Sequence, residues 1–184
     1  NCDWSSDVCS SDLLLGVSTL LYNYSRFDSF LDFGYTRIPG VVDEPWYRDG
    51  LFALSAIPRN ANQMLLVGWM RVDGFPYLAP TRFGGSIFLA SPLLVLLFRL
   101  RARSPWRLAI AWSALICVTF VLWCHGNPGG YQYSYRYAMV LLPWMLLILL
   151  ETGSVRGSRL QTALIILSVA INAWGNHLFN WVEW

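Results

Sequence analysis

Two arginines stand where a permanent cation beside aromatic rings could hold an anion. Arg26 lies in Tyr22-Asn23-Tyr24-Ser25-Arg26-Phe27, and Arg136 in Tyr133-Ser134-Tyr135-Arg136-Tyr137. A guanidinium is a rigid, always charged fork that matches phosphate oxygens, and the Tyr135 hydroxyl next to Arg136 could join it. Either arginine could instead anchor a helix end by snorkelling toward the headgroups. Asp43-Glu44 pairs two carboxylates able to take a proton or hold a metal ion. Two solvated acids before Pro45 need no such role, however. His125 and His177 are isolated, with no carboxylate or thiol at ligand spacing. No Walker A loop, G-x-G-x-x-G, H-E-x-x-H or C-x-x-C occurs.

These residues are carried by 184 residues that are 55% hydrophobic, 16% aromatic and only 13% charged, with mean hydropathy +0.43. Soluble domains are about a quarter charged, so the composition points to a bilayer as solvent and excludes disorder. All 13 basic residues are Arg, and they are dispersed. A formal net charge of +2 is too small for a nucleic-acid-binding protein.

Residues Asp3 to Leu13 read D-W-S-S-D-V-C-S-S-D-L, which resembles a short-read sequencing adapter translated in one frame. Residues 1–13 are therefore set aside from fold reasoning as a scar. Cys2 and Cys9 then carry no information, and Cys117 and Cys124 read as free thiols inside one apolar run. Removing Asp3, Asp7 and Asp12 from the 11 acids leaves eight against 13 Arg, a net +5. On this reading the remainder is the C-terminal fragment of a longer chain.

The apolar runs predict an all-α polytopic membrane protein with four full transmembrane helices and one truncated. Residues 14–22 are the truncated helix, too short to span. Residues 23–83 form a long external loop holding short juxtamembrane helices, one of them within Gly50–Met70 and broken at Pro58. Residues 84–184 form the helical bundle, with spans expected at Gly84–Phe98, Leu108–Cys124, Tyr137–Leu150 and Leu160–Val182. Arg99, Arg101, Arg103 and Arg107 precede the second span, and Arg156 and Arg159 precede the fourth. The positive-inside rule makes that side cytoplasmic and puts residues 23–83 and 125–136 outside. The six Arg of 23–83 are balanced there by Asp28, Asp32, Asp43, Glu44, Asp49 and Asp73. Trp106, Trp123, Trp174, Trp181 and Trp184 fall near span ends, as interfacial aromatics do.

Several strings occur in a fixed order. Tyr22-Asn23-Tyr24-Ser25-Arg26-Phe27 runs on to Asp32-Phe33-Gly34-Tyr35. Asp49-Gly50-Leu51-Phe52-Ala53-Leu54 and Pro58-Arg59-Asn60 follow, then Phe75-Pro76-Tyr77. Asn127-Pro128-Gly129-Gly130-Tyr131 leads to Tyr135-Arg136-Tyr137 and, six residues on, Pro143. Taken together, these resemble the second half of bacterial GT-C-type membrane glycosyltransferases of the dolichyl-phosphate-mannose mannosyltransferase-like and aminoarabinose-transferase-like kinds. The resemblance extends over nearly everything after residue 13.

The resemblance implies transfer of a sugar from a polyprenyl-phosphate donor to an extracytoplasmic acceptor. It also implies a carboxylate base and often a divalent metal. Arg136, Arg26 and Tyr135 become the candidates for holding the lipid phosphate. Two departures matter. Val140 stands where many relatives carry an acid after the Y-R-Y element. The family's catalytic acids belong upstream of this segment, so the fragment is expected to be inactive by itself. The expected partners are membrane lipid and a polyprenyl-phosphate-linked sugar, without nucleic acid, in the bacterial inner membrane. The alternatives are a multi-span transporter or a non-catalytic membrane protein. Transporters usually carry ionisable residues at mid-membrane, which these runs lack.

Overall fold

A computed structural model describes residues 4–32, 34, 37–99, 103–153 and 158–182. Cys2, Asp3, Phe33, Tyr35, Arg101, Arg156 and Trp184, named above, lie outside the described residues. The chain divides into two units, residues 1–48 and 49–184.

The first unit is built on helix α1 (Trp4–Phe27), which takes in the adapter-like stretch from residue 4 as well as residues 14–22. It ends where Asp28 turns into the left-handed region, with φ +54, and its N–H bonds the Tyr24 carbonyl. Arg37 then donates to the terminal Phe27 carbonyl at 2.6 Å and pairs with Asp32 at 2.9 Å. A cation at this end complements the helix dipole. The Arg37 hydrogen bond and the Gly34 N–H hold the Asp32 carboxyl below its ordinary range.

The second unit opens with a 3-10 turn at Leu54–Ala56 that runs into α2 (Ile57–Leu65). Pro58 stands in the first turn of α2, where its missing N–H costs nothing, so it starts this helix rather than breaking one. A two-stranded antiparallel hairpin follows, β1 (Met70–Arg71) against β2 (Leu78–Ala79). Then come α3 (Ile87–Ala90), a 3-10 helix at Pro92–Phe98, and α4 (Pro105–Cys124). A second 3-10 helix at Arg136–Leu141 leads into α5 (Leu142–Thr152), and α6 (Arg159–Trp181) closes the unit.

The expectation of four full spans and a truncated one is corrected here. Among the described residues only α4 and α6 are long and apolar enough to cross a membrane. The Gly84–Phe98 run is interrupted at Ser91-Pro92, where the backbone extends and Pro92 opens a separate 3-10 turn. The Tyr137–Leu150 run has no such extended break: its first residues are wound as the 3-10 helix Arg136–Leu141, which passes directly into α5 with Leu141 and Leu142 both helical. Pro143 stands in the first turn of α5, which is 11 residues long, against the roughly 20 a span needs. The polar half of α1, with Ser5, Ser6, Asp7, Ser10, Ser11 and Asp12, keeps that helix out as well.

The broken backbone around Pro92 is satisfied from α6. Asn172 Nδ2 donates to the Ala90 carbonyl at 2.6 Å, and Ser168 Oγ accepts from Leu93 N–H at 3.1 Å. These bonds satisfy backbone groups that the break at Pro92 leaves outside the helical pattern. Ser158 and Gln161 close a reciprocal capping box at the start of α6. The start of α4 meets the end of α5. There Arg103 N–H bonds the Glu151 carbonyl at 3.0 Å, and Arg107 lies 3.6 Å from the Glu151 carboxylate.

The core of this unit gathers Ala111 and Leu115 of α4, Met145 and Ile148 of α5, and Leu141, Leu97 and Ile87. The outward residues Ile110 and Val121 of α4 are exposed, as are Ile165, Ile166 and Val169 of α6. Those faces fit lipid. Two helices are thus long and apolar enough to cross a membrane, and both turn apolar faces outward.

Candidate functional site

The site assembles at the C-terminal end of α4, where four carbonyls lose their helical partners. Segment 51–53 pairs with that end: Ala53 N–H bonds the Cys124 carbonyl at 2.7 Å, and Gly126 N–H bonds Leu51 at 2.8 Å. Two adjacent residues of the first turn of α2 supply further donors. Asn60, fully buried, donates Nδ2 to the carbonyls of Trp123 at 2.9 Å and His125 at 2.7 Å. Arg59 donates Nη2 to the Gly126 carbonyl. A cation here also complements the negative end of α4.

One turn further along α2, Met64 Sδ accepts from the Trp123 indole N–H at 3.2 Å. The helix is thus fixed at two levels.

The loop that carries Arg136 is organised by Gln132. Its Nε2 donates to the Pro128 carbonyl at 2.9 Å, and its Oε1 accepts from Arg136 N–H at 3.2 Å. Gly84 and Gly129 close on this side chain with φ of +91 and +99; a Cβ on either would stand 2.9 and 2.3 Å from it. Tyr135 N–H and Ser134 Oγ both bond the Gly85 carbonyl, which starts the 3-10 helix with Arg136 at its outer edge.

Arg136 is exposed, its guanidinium carbon 5.4 Å from the centroid of the Tyr137 ring. That ring meets His125 edge-on at 5.6 Å and Tyr135 at 6.0 Å. His125 in turn packs on Phe52 at 5.4 Å.

Tyr135 is 1% exposed, and its hydroxyl and Asn60 Oδ1 have no hydrogen-bond partner among the described residues. Burial pushes its phenol up to about 12; Tyr137 adds to the rise, and the charge of Arg59 opposes it.

An apolar cavity of about 290 Å³ begins beside this cluster. Trp112, Leu115, Ile116, Thr119, Phe120 and Trp123 line it from one face of α4, with Met64, Phe88, Phe98 and Met145 opposite. Their spacing of three and four residues puts them on a single stripe about 16 Å long. Trp123 and Met64 mark the end at which Asn60 and Arg59 stand. An apolar groove thus leads to a cationic, aromatic rim, and together they suit an amphiphile with an anionic head.

Of the sequence candidates, Arg136 lies at this rim, while Tyr135 turns its hydroxyl into the interior. Arg26 belongs to the first unit, exposed at the end of α1, where it donates to the Tyr22 hydroxyl at 3.1 Å and stacks near Phe27. Asp43 is exposed, and Glu44 precedes the 3-10 turn Pro45–Tyr47 in that same unit. His177 lies against Trp174 in α6. Among the described residues no three His, Cys, Asp or Glu side chains stand together as metal ligands. The described residues thus do not fit the divalent ion that the family resemblance implies. Arg59 and Asn60 escaped the sequence reading as site residues, although Pro58-Arg59-Asn60 stood out as a string. No family model, curated protein or solved structure matches the chain.

Proposed function

We propose that this chain supplies the lipid-phosphate site of a membrane glycosyltransferase that takes its sugar from a polyprenyl-phosphate donor. The observation that carries this reading is that Trp123 and Met64, which line the apolar groove, are bonded to each other beside Asn60, whose second acceptor His125 packs on the Tyr137 ring that Arg136 covers. A single isoprenoid chain lies along Trp112–Trp123, and its phosphate meets the guanidinium of Arg136 in the field of Arg59. A hydrogen bond to a charged group contributes about 1.5–3 kcal/mol, and a planar fork fixes its direction. These residues bind and orient the donor; the base that activates the acceptor is not among them. Arg99, Arg103, Arg107 and Arg159 cluster at the opposite ends of α4 and α6. By the positive-inside rule the site then faces the extracytoplasmic side of a bacterial inner membrane.

A transporter would carry ionisable groups at mid-span. Helix α4 has none after Arg107, and α6 has none between Arg159 and His177, which favours the transferase. Photolabelling tests the reading. A diazirine-bearing polyprenyl phosphate is expected to label the α4 peptide containing Trp112–Trp123, and excess polyprenyl phosphate is expected to suppress it. Labelling spread evenly over α4 and α6, without competition, would count against the site.

A further inference from the structure

The hairpin of β1 and β2 presents its turn outward. Phe75 is 71% exposed and Tyr77 67%, and Leu78 beside them is half exposed. Isolated apolar residues on a surface mean little, but a contiguous aromatic tip does. Its backbone is held in place: Tyr77 N–H bonds the Gly74 carbonyl at 2.6 Å, and Val72 N–H bonds the Tyr77 carbonyl at 3.2 Å. Tyr77 takes φ +66, a conformation bulky side chains rarely adopt. The turn therefore keeps its rings outward at a conformational cost.

The neighbour of this tip fixes its level. The Phe75 ring meets Trp174 of α6 edge-on, with centroids 6.2 Å apart. Trp174 is the residue at which α6 changes character. Before it, Leu160 to Ala173 is largely apolar; after it come Asn176, His177 and Asn180. Tryptophan at such a junction marks the boundary between acyl chains and headgroups. The exposed tip is thus continuous with the lipid-facing flank of a spanning helix at its point of exit.

We propose that Phe75 and Tyr77 insert into the headgroup–acyl boundary of the bilayer beside Trp174, making the hairpin an interfacial anchor. The occupant of this surface is phospholipid. A ring pair of this kind buries its apolar body while the Tyr hydroxyl stays among the headgroups. The anchor sets the height of the loop that follows, in which the Arg82 carbonyl accepts from Gln132 N–H at 3.0 Å and Gly84 packs on the Gln132 side chain. It does not depend on which lipid-linked substrate the α4 groove takes.

The test uses the full chain with its four cysteines replaced by alanine, reconstituted into phosphatidylcholine vesicles. Single nitroxides are placed by Phe75→Cys, by Tyr77→Cys and, as the aqueous reference, by Asp49→Cys. All three positions are exposed, so the label displaces no core residue. Power saturation compares collisions with oxygen, which concentrates in acyl chains, and with a water-soluble nickel chelate. The oxygen-to-nickel ratio is expected to be severalfold higher at 75 and 77 than at 49. Equal ratios would place the tip in water and overturn the proposal. Spin–spin broadening at 75 that disappears on dilution with unlabelled protein would make a second copy the occupant, and would overturn it too.

Discussion

Asn60 and His125 stand 65 residues apart in the chain, yet Asn60 Nδ2 bonds the His125 carbonyl at 2.7 Å. The same amide holds the Trp123 carbonyl, so one fully buried side chain closes the C-terminal end of α4. Replacing it by Leu leaves two carbonyls without this donor. Each buried group left unsatisfied costs about 1–3 kcal/mol. Thermal unfolding of Asn60→Leu in detergent is expected at a clearly lower Tm; an unchanged Tm would show that other donors cap α4.

Tyr135 makes the opposite prediction. Its hydroxyl is buried without a described partner, so Tyr135→Phe removes an uncompensated polar group and should leave stability equal or improved. The pH dependence follows from the raised phenol. With about 12 in the folded state against 10 unfolded, the unfolded chain loses its proton first. Stability is therefore complete below pH 10 and falls as pH rises through 12. Denaturant midpoints measured across that window should fall less steeply for Tyr135→Phe than for the parent chain.

Gly129 is held at φ +99, and a Cβ there would stand 2.3 Å from the Gln132 amide. Gly129→Ala must both strain the backbone and displace the side chain that receives Arg136 N–H. A loss of about 1–3 kcal/mol is expected, with faster hydrogen exchange at Arg136. Unaltered exchange there would mean that Gln132 does not organise the loop.

Gly175 lets α6 approach the same loop. A Cβ at this position would lie 2.3 Å from the Tyr133 hydroxyl, which bonds the Ile171 carbonyl at 3.3 Å. Gly175→Ala gains helix propensity but should be destabilising by about 1–3 kcal/mol through overpacking. Adding Tyr133→Ala should restore most of that loss. If the double variant is no more stable than Gly175→Ala alone, the contact is not the cause.

Helices α4 and α6 were legible because uninterrupted apolar runs sit beside Arg-rich segments. Their observed bounds differ from the expected Leu108–Cys124 and Leu160–Val182 by at most three residues. The runs around Pro92 and Pro143 misled, because hydropathy counts composition while proline sets where a helix can continue. Pro58 misled in reverse, since proline is welcome in a first turn. The hairpin at 70–79 left one signal, Asp73-Gly74, too short to outweigh its aromatic surroundings. Arg136 was legible from its neighbours in the chain. Arg59 and Asn60 were not, because their role depends on carbonyls more than sixty residues away.

The most direct measurement compares farnesyl phosphate with farnesol for equilibrium binding to the full chain in detergent. The two share the tail proposed for the α4 groove and differ only in the anion. Farnesyl phosphate is expected to bind at least about tenfold tighter, the effect of one charge-assisted hydrogen bond. That preference should shrink in Arg136→Lys, which keeps the charge but loses the fork, and vanish in Arg136→Gln. Equal affinity for the alcohol and the phosphate, or a preference that survives in both Arg136→Gln and Arg59→Gln, would contradict the lipid-phosphate site.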